Sequence, residues 1–148
     1  MGIKIIAKNK KAYHDFQLLE KVEAGIALVG TEVKSLRQGR VSLVESFVTI
    51  DQRMEVWLNN MTIPHYEFGN INNHEESRRR KLLLKAGEIK YLHRQLKGGM
   101  TIIPTIIYFK RSLIKIEIVL AKGKREYDKR HDQREKDVNR KLQRGIYD

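Results

Sequence analysis

Arg78-Arg79-Arg80-Lys81 places four consecutive cations directly before Leu82-Leu83-Leu84, and three further basic runs follow the same theme. They are Lys8 with Lys10-Lys11, Lys110-Arg111, and Lys122-Gly123-Lys124-Arg125. The chemistry such runs offer is neutralisation of a polyanion, with steep salt dependence where several phosphates are met. One run alone is as often a solvated turn as a binding site. Two of the four, however, sit just past a strand pattern and a third just before one, where the loops of a barrel converge on a ligand. Tyr13, Tyr108, Phe109 and Tyr127 lie near these cations and supply rings on which unpaired bases stack, although Phe109 reads more readily as core.

Catalytic constellations are missing from the pattern. The histidines at 14, 65, 74, 93 and 131 are scattered, with no His-Glu-x-x-His pair, and zero cysteines remove thiolate metal sites, cysteine nucleophiles and disulfides. Asn73-His74-Glu75-Glu76 is the nearest approach to an acid-base cluster, but adjacent acids in a polar loop are more often solvated than tuned. The glycines form neither a phosphate loop nor a dinucleotide fingerprint. The expectation is no catalytic residue, no metal and no cofactor, which sets a nuclease reading aside.

The elements that must position the cations follow from length and periodicity. With 148 residues and a net charge of +12 the chain is one small, cationic body with an appended arm. The longest apolar stretch, Met100 to Phe109, is half the roughly 20 residues a membrane helix needs, and no leader pattern is visible, so a cytoplasmic protein is expected. Strands are expected over Phe16–Val29, Ser46–Ile50 and Glu55–Leu58, over the apolar Leu82-Leu83-Leu84, and over a hairpin of Met100–Lys110 with Leu113–Val119 about an Arg111-Ser112 turn. Pro104 marks an edge or a bulge. Helices are expected from Gly30 to Gly39, with Thr31 as N-cap and Gly39 as left-handed stop, and from Ala86 to Lys97. This is a mainly β fold: an oligonucleotide-binding (OB) type barrel of about six strands with two or three flanking helices, a flatter α+β sheet being the alternative.

The barrel is expected over residues 1–120 and a basic tail over 121–148. That tail holds ten basic and six acidic side chains. Its acid-before-base pairs four apart (Glu126 with Arg130, Asp132 with Lys136, Asp137 with Lys141) favour a helix, but each adds only about 0.2–0.5 kcal/mol. A tail disordered when free and helical on a polyanion is therefore expected.

Several runs taken together resemble one family, the SsrA-binding proteins, also called small protein B. They are Glu23-Ala24-Gly25-Ile26, Gly30-Thr31-Glu32-Val33-Lys34-Ser35-Leu36-Arg37, Asn73-His74-Glu75, Arg80-Lys81-Leu82-Leu83-Leu84, Tyr108-Phe109-Lys110, Leu120-Ala121-Lys122-Gly123-Lys124 and Tyr127-Asp128-Lys129-Arg130. The resemblance implies a monomeric partner of transfer-messenger RNA in ribosome rescue. Such a protein holds the tRNA-like domain at the elbow of its D and T loops and enters the decoding site and messenger channel of the small ribosomal subunit. By motif it implies RNA contacts at Asn9, Glu32, Lys34, Ser35, Arg37, His74, Arg78, Lys81, Lys122, Gly123 and Lys124. It implies ribosomal contacts for the tail at Tyr127, Asp128, Lys129, Arg130, Arg134, Arg140 and Lys141. A general single-stranded RNA-binding barrel is the alternative that the residues alone leave open.

Overall fold

The structure is a computed structural model that describes residues 3–66 and 73–123. Its elements, in chain order, are β1 (Ile3–Lys8), α1 (Lys10–Asp15), β2 (Phe16–Ile26), α2 (Gly30–Arg37), β3 (Phe47–Ile50), β4 (Val56–Asn59), β5 (Arg80–Leu83), α3 (Ala86–Lys97), β6 (Thr101–Lys110) and β7 (Leu113–Gly123). The seven strands make one antiparallel sheet in the order β1-β6-β7-β2-β5-β4-β3. Mainly β architecture and the two hairpins are as the alternation predicts, and α3 has the expected bounds.

The sheet curls until β3 lies back against β6, and no hydrogen-bonded ladder joins those two strands. Inside the curl, Val48, Val56, Leu58, Leu82, Ile102, Ile107, Ile116, Ile118 and Leu120 interdigitate, and Leu36 of α2 and Leu92 of α3 close the core. These strands send alternate residues to the interior, as period-2 side-chain direction requires. Ile89 and Leu96 flank Leu92 on the inward face of α3. Gly39, at φ +75°, reverses the chain after α2 in the left-handed conformation that glycine alone adopts without strain.

Three details differ from the sequence expectation. A seventh strand, β1, pairs with the second half of β6, from Ile106 to Lys110. Its sequence, Ile3-Lys4-Ile5-Ile6-Ala7-Lys8, breaks the apolar alternation at Ile5-Ile6-Ala7. α1 is the third of the two or three helices expected, at a position the pattern did not locate. It is nucleated by Asn9, whose side-chain oxygen accepts from Ala12 N–H while its amide donates to the carbonyls of Pro104 (3.0 Å) and Leu43 (3.3 Å). Third, β7 continues past Leu120 to Gly123, because Ala121, Lys122 and Gly123 pair with Leu18, Gln17 and Phe16. Pro104 sits at a β-bulge in the β6–β7 ladder and ahead of the segment that pairs with β1, so its missing N–H breaks no bond.

Asn9 is 5% exposed and each polar atom of its amide is engaged, so it braces the fold from within. Replacing it leaves two carbonyls without their donor. Asn9→Ala is expected to lower unfolding free energy by about 1–3 kcal/mol in urea titrations. Asn9→Asp is expected to cost more, because it sets a carboxylate against two carbonyl oxygens; equal losses would contradict this role.

Candidate nucleic-acid interface

The interface begins with an acid. α2 starts at Gly30 with Val29, in extended backbone, as its N-cap, rather than with Thr31. The reason is Glu32, whose Oε1 accepts from the Val29 N–H at 2.9 Å and so satisfies an orphan donor of the first turn. Thr31 falls inside the helix, and its hydroxyl meets His74 Nδ1 at 2.9 Å. His74 Nε2 lies 2.7 Å from the Ile63 carbonyl, which only accepts, so Nε2 donates there. Ser35 completes the inner face of α2 by donating to the Pro64 carbonyl at 2.8 Å.

Glu32 is fully buried and meets two arginines. Arg80 Nε donates to Oε2 at 2.5 Å, and Arg78 donates through Nη2 to Oε1 at 2.5 Å and through Nε to Oε2 at 3.2 Å. Arg80 is equally buried. Its remaining donors reach the carbonyls of Met61 (2.6 Å), Arg78 (3.0 Å) and Glu76 (3.0 Å). Burial pushes the Glu32 carboxyl up, but the bonds from Arg78, the Val29 N–H and Arg80 outweigh it and hold the group below the usual carboxylate range. The basic run Arg78–Lys81 is therefore no solvated turn. Arg80 and Leu82 point inward, Lys81 and Leu83 outward, and β5 begins two residues earlier than the leucines suggest. The signal for this lay in period 2: Arg80 shares a face with Leu82.

This buried unit fixes a rim of exposed cations. Lys34 and Arg37 project from the outer side of α2, Arg78 remains about a third exposed, and Arg40 donates to the His65 carbonyl. The Lys34 ammonium stands 5.4 Å from the Tyr66 ring centre. Beside the rim, on the outer sheet face, a groove of about 520 Å³ runs over Gly25 between Glu23, Leu83, Leu84, Lys85, Glu88 and Lys115. Leu83 is 54% exposed on its wall. A Cβ at residue 25 would come within 3.3 Å of Leu83 Cβ, so glycine keeps the groove open. Sequence reasoning missed Leu83, because three successive leucines hide which one faces out.

The residues implied by motif thus divide. Lys34, Arg37, Arg78 and Lys81 stand at the surface around α2 and β5, whereas Glu32, Ser35 and His74 lie beneath that surface and hold it up. Asn9 is buried elsewhere, under α1. Lys122 and Gly123 are exposed, but they pair with Gln17 and Phe16 at the start of β2, whereas α2 follows its end. The two regions lie at opposite ends of that strand, whose contour length is about 30 Å. Lys124, Tyr127, Asp128, Lys129, Arg130, Arg134, Arg140 and Lys141 lie outside the described residues. Among the described residues no three His, Cys, Asp or Glu side chains gather to hold a metal, and no helix is long and apolar enough to cross a membrane.

A curled antiparallel sheet flanked by short helices and rimmed with fixed, exposed cations defines a small β-barrel protein of the nucleic-acid-binding class. The family model described as SmpB protein matches residues 6–148, and the chain belongs to that family. It is 53% identical over 146 residues to the SsrA-binding protein of Bifidobacterium adolescentis, covering 98% of this chain and 92% of that one. The SsrA-binding protein of Streptomyces coelicolor is 51% identical over 146 residues, with 98% and 91% covered. Among solved structures, a chain of "tmRNA-SmpB: a journey to the center of the bacterial ribosome" superposes with a TM-score of 0.68 at 42% identity, covering 81% of this chain and 85% of that one.

Because the Glu32 carboxyl titrates lower in the fold than its ordinary value of 4.5, its ionised form stabilises the protein above that value. The contribution disappears as pH falls through the lowered value. Glu32→Gln is expected to cost about 3–5 kcal/mol at pH 7 in denaturant titrations, as removal of one partner from a buried ion pair does. The variant is also expected to lose less stability than the parent on acidification below pH 5. Parallel acid profiles for the two proteins would show that the carboxylate is not the anchor.

Proposed function

We propose that this chain is an SsrA-binding protein in the working sense: it binds the tRNA-like domain of transfer-messenger RNA and delivers it to stalled ribosomes for tagging of the unfinished chain. The observation that carries this reading is the fixed cationic rim of Lys34, Arg37 and Arg78 beside the open groove over Gly25, in a chain whose family relatives are named for SsrA binding. The buried Glu32–Arg80 unit sets the backbone from which these cations project, which suits a folded RNA whose phosphates are themselves fixed in space.

Glu32, Ser35 and His74 act in this reading as positioning residues that hold the shelf. The distance between the α2 rim and the Lys122-Gly123 end of β7 supports two RNA contacts rather than one. The rim and groove take the tRNA-like elbow. At the opposite end Lys122, Gly123 and Lys124 remain RNA contacts, and beyond them Tyr127, Asp128, Lys129, Arg130, Arg134, Arg140 and Lys141 take the decoding site and messenger channel of the small subunit. The protein works as a cytoplasmic monomer that presents RNA and does no chemistry on it.

In gel shifts the full chain is expected to prefer a tRNA-like domain transcript over random RNA of equal length; equal affinity would favour a general single-stranded RNA binder instead. Lys34→Ala with Arg37→Ala is expected to weaken binding at every salt concentration and to reduce the slope of log affinity against log salt by about 1 for each phosphate no longer neutralised. Truncation after Lys124 is expected to preserve binding to the isolated RNA and to abolish tagging in a reconstituted translation reaction. Failure of the truncated protein to bind RNA would overturn the division between the two ends.

A further inference from the structure

The outer face of the sheet carries a second feature, one strand over from the groove. Trp57 of β4 and Arg79 at the entry to β5 both face outward, and the Arg79 guanidinium carbon stands 4.0 Å from the indole ring centre. The indole is locked in place. Its Nε1–H donates to Asp51 Oδ2 at 3.0 Å, while Asp51 Oδ1 accepts from the backbone N–H groups of Arg53 (3.0 Å) and Glu55 (2.9 Å) across the β3–β4 turn. Asp51 is thereby committed to the turn and the ring. Among the described residues no close ion pair or hydrogen bond engages the Arg79 guanidinium, which rests over the face of Trp57 and acts through space on the Asp51 carboxylate beside the ring. A planar cation with its fork of donors unspent, standing over an aromatic ring that a hydrogen bond orients, is prepared for a ligand that combines an anion with a π surface.

The geometry points to a nucleotide-stacking platform: Trp57 and Arg79 together receive one unpaired base and its phosphate from the RNA that the rim and groove bind. The base stacks against the guanidinium–indole pair, and the donors of Arg79 take the adjoining phosphate oxygens. Lys81, its side chain 43% exposed and its ammonium 3.9 Å from the Glu55 carboxylate, lies one outward position along β5 from Arg79, and Leu83 on the groove wall lies one further. The platform therefore continues the groove along a single strand, with Arg79 and Leu83 about 13 Å apart. This inference rests on the RNA-binding reading and extends the footprint beyond α2 to the β4–β5 face.

Trp57 is the chain's one tryptophan, so its fluorescence reports on the site without a label. The full-length protein is titrated with a tRNA-like domain transcript while fluorescence and gel shift are followed in parallel. Trp57 emission is expected to be quenched with the midpoint of the gel shift. Arg79→Ala is expected to weaken binding about ten- to a hundredfold and to lower the salt slope by about 1. Arg79→Lys is expected to restore the slope but not the affinity, since an ammonium neither forks nor stacks. Trp57→Phe, which keeps a ring, is expected to bind better than Trp57→Leu, with melting temperatures confirming that both are folded. A gel shift with unchanged emission and undiminished Arg79→Ala affinity would overturn the platform and leave the RNA-binding reading intact. Absence of any gel shift would instead overturn that reading. Quenching by isolated small ribosomal subunits and not by the transcript would overturn the assignment of the platform to the tRNA-like domain.

Discussion

The buried bond between Glu32 and Arg80 is the constraint on which the surface around α2 depends. Two fully buried ionic groups are costly to desolvate, and a well-packed apolar pair in their place would often hold a fold as well or better. What the ionic pair supplies is position. Arg80 spends its fork on the carbonyls of Met61, Glu76 and Arg78, while Glu32 ties Val29 and Arg78 to the same point. A helix start, two loop segments and a strand entry thus share one polar centre, and no apolar substitute reproduces those directions. Lys34 and Arg37 stand where they do because the helix beneath them has one permitted register.

The same unit explains how a strongly basic protein places its charges without dispersing them. Arg78 is half of a rim and half of a brace, neutralised on one side by Glu32 and open on the other. His74 and Ser35 extend the brace with neutral hydrogen bonds to the Ile63 and Pro64 carbonyls. Elsewhere acids quiet individual cations in the same manner: Glu23 accepts from Lys110 and from the Tyr108 hydroxyl, and Glu45 pairs with Lys11. Burial, and then that Glu23 carboxylate, push the Tyr108 hydroxyl's ionisation well above its ordinary range, so it stays a donor.

Much of the fold was legible in the sequence because its elements repeat at a single period. The Leu113–Val119 alternation, the polar Arg111-Ser112 turn and the apolar spacing of Ile89, Leu92 and Leu96 each have one structural solution, and the structure adopts it. β1 and α1 were not legible. An edge strand with exposed Ile3 and Ile5 draws its order from a partner strand about a hundred residues on, and α1 depends on Asn9 reaching carbonyls of Leu43 and Pro104. The interface was half legible. The basic run drew attention to Arg78, and Lys34 and Arg37 entered only through the family resemblance; neither residue type nor motif tells an exposed side chain from a supporting one, and Glu32, Ser35, His74 and Asn9 prove to be buried. Arg80 was hidden for the opposite reason, since a run of four cations suggests water.

The contact between β3 and β6 has a mechanical consequence. Every other neighbouring pair of strands is sewn by a backbone ladder, whereas here Phe47 and Thr101 with Ile103 merely border a cleft of about 170 Å³. Across this seam reach the Asn9 amide, with one hand on Leu43 and the other on Pro104, and the Lys11–Glu45 pair outside it. The wall is a cylinder slit along its length and fastened by a clasp at one end. Parting β3 from β6 would break side-chain contacts alone and leave the six ladders whole.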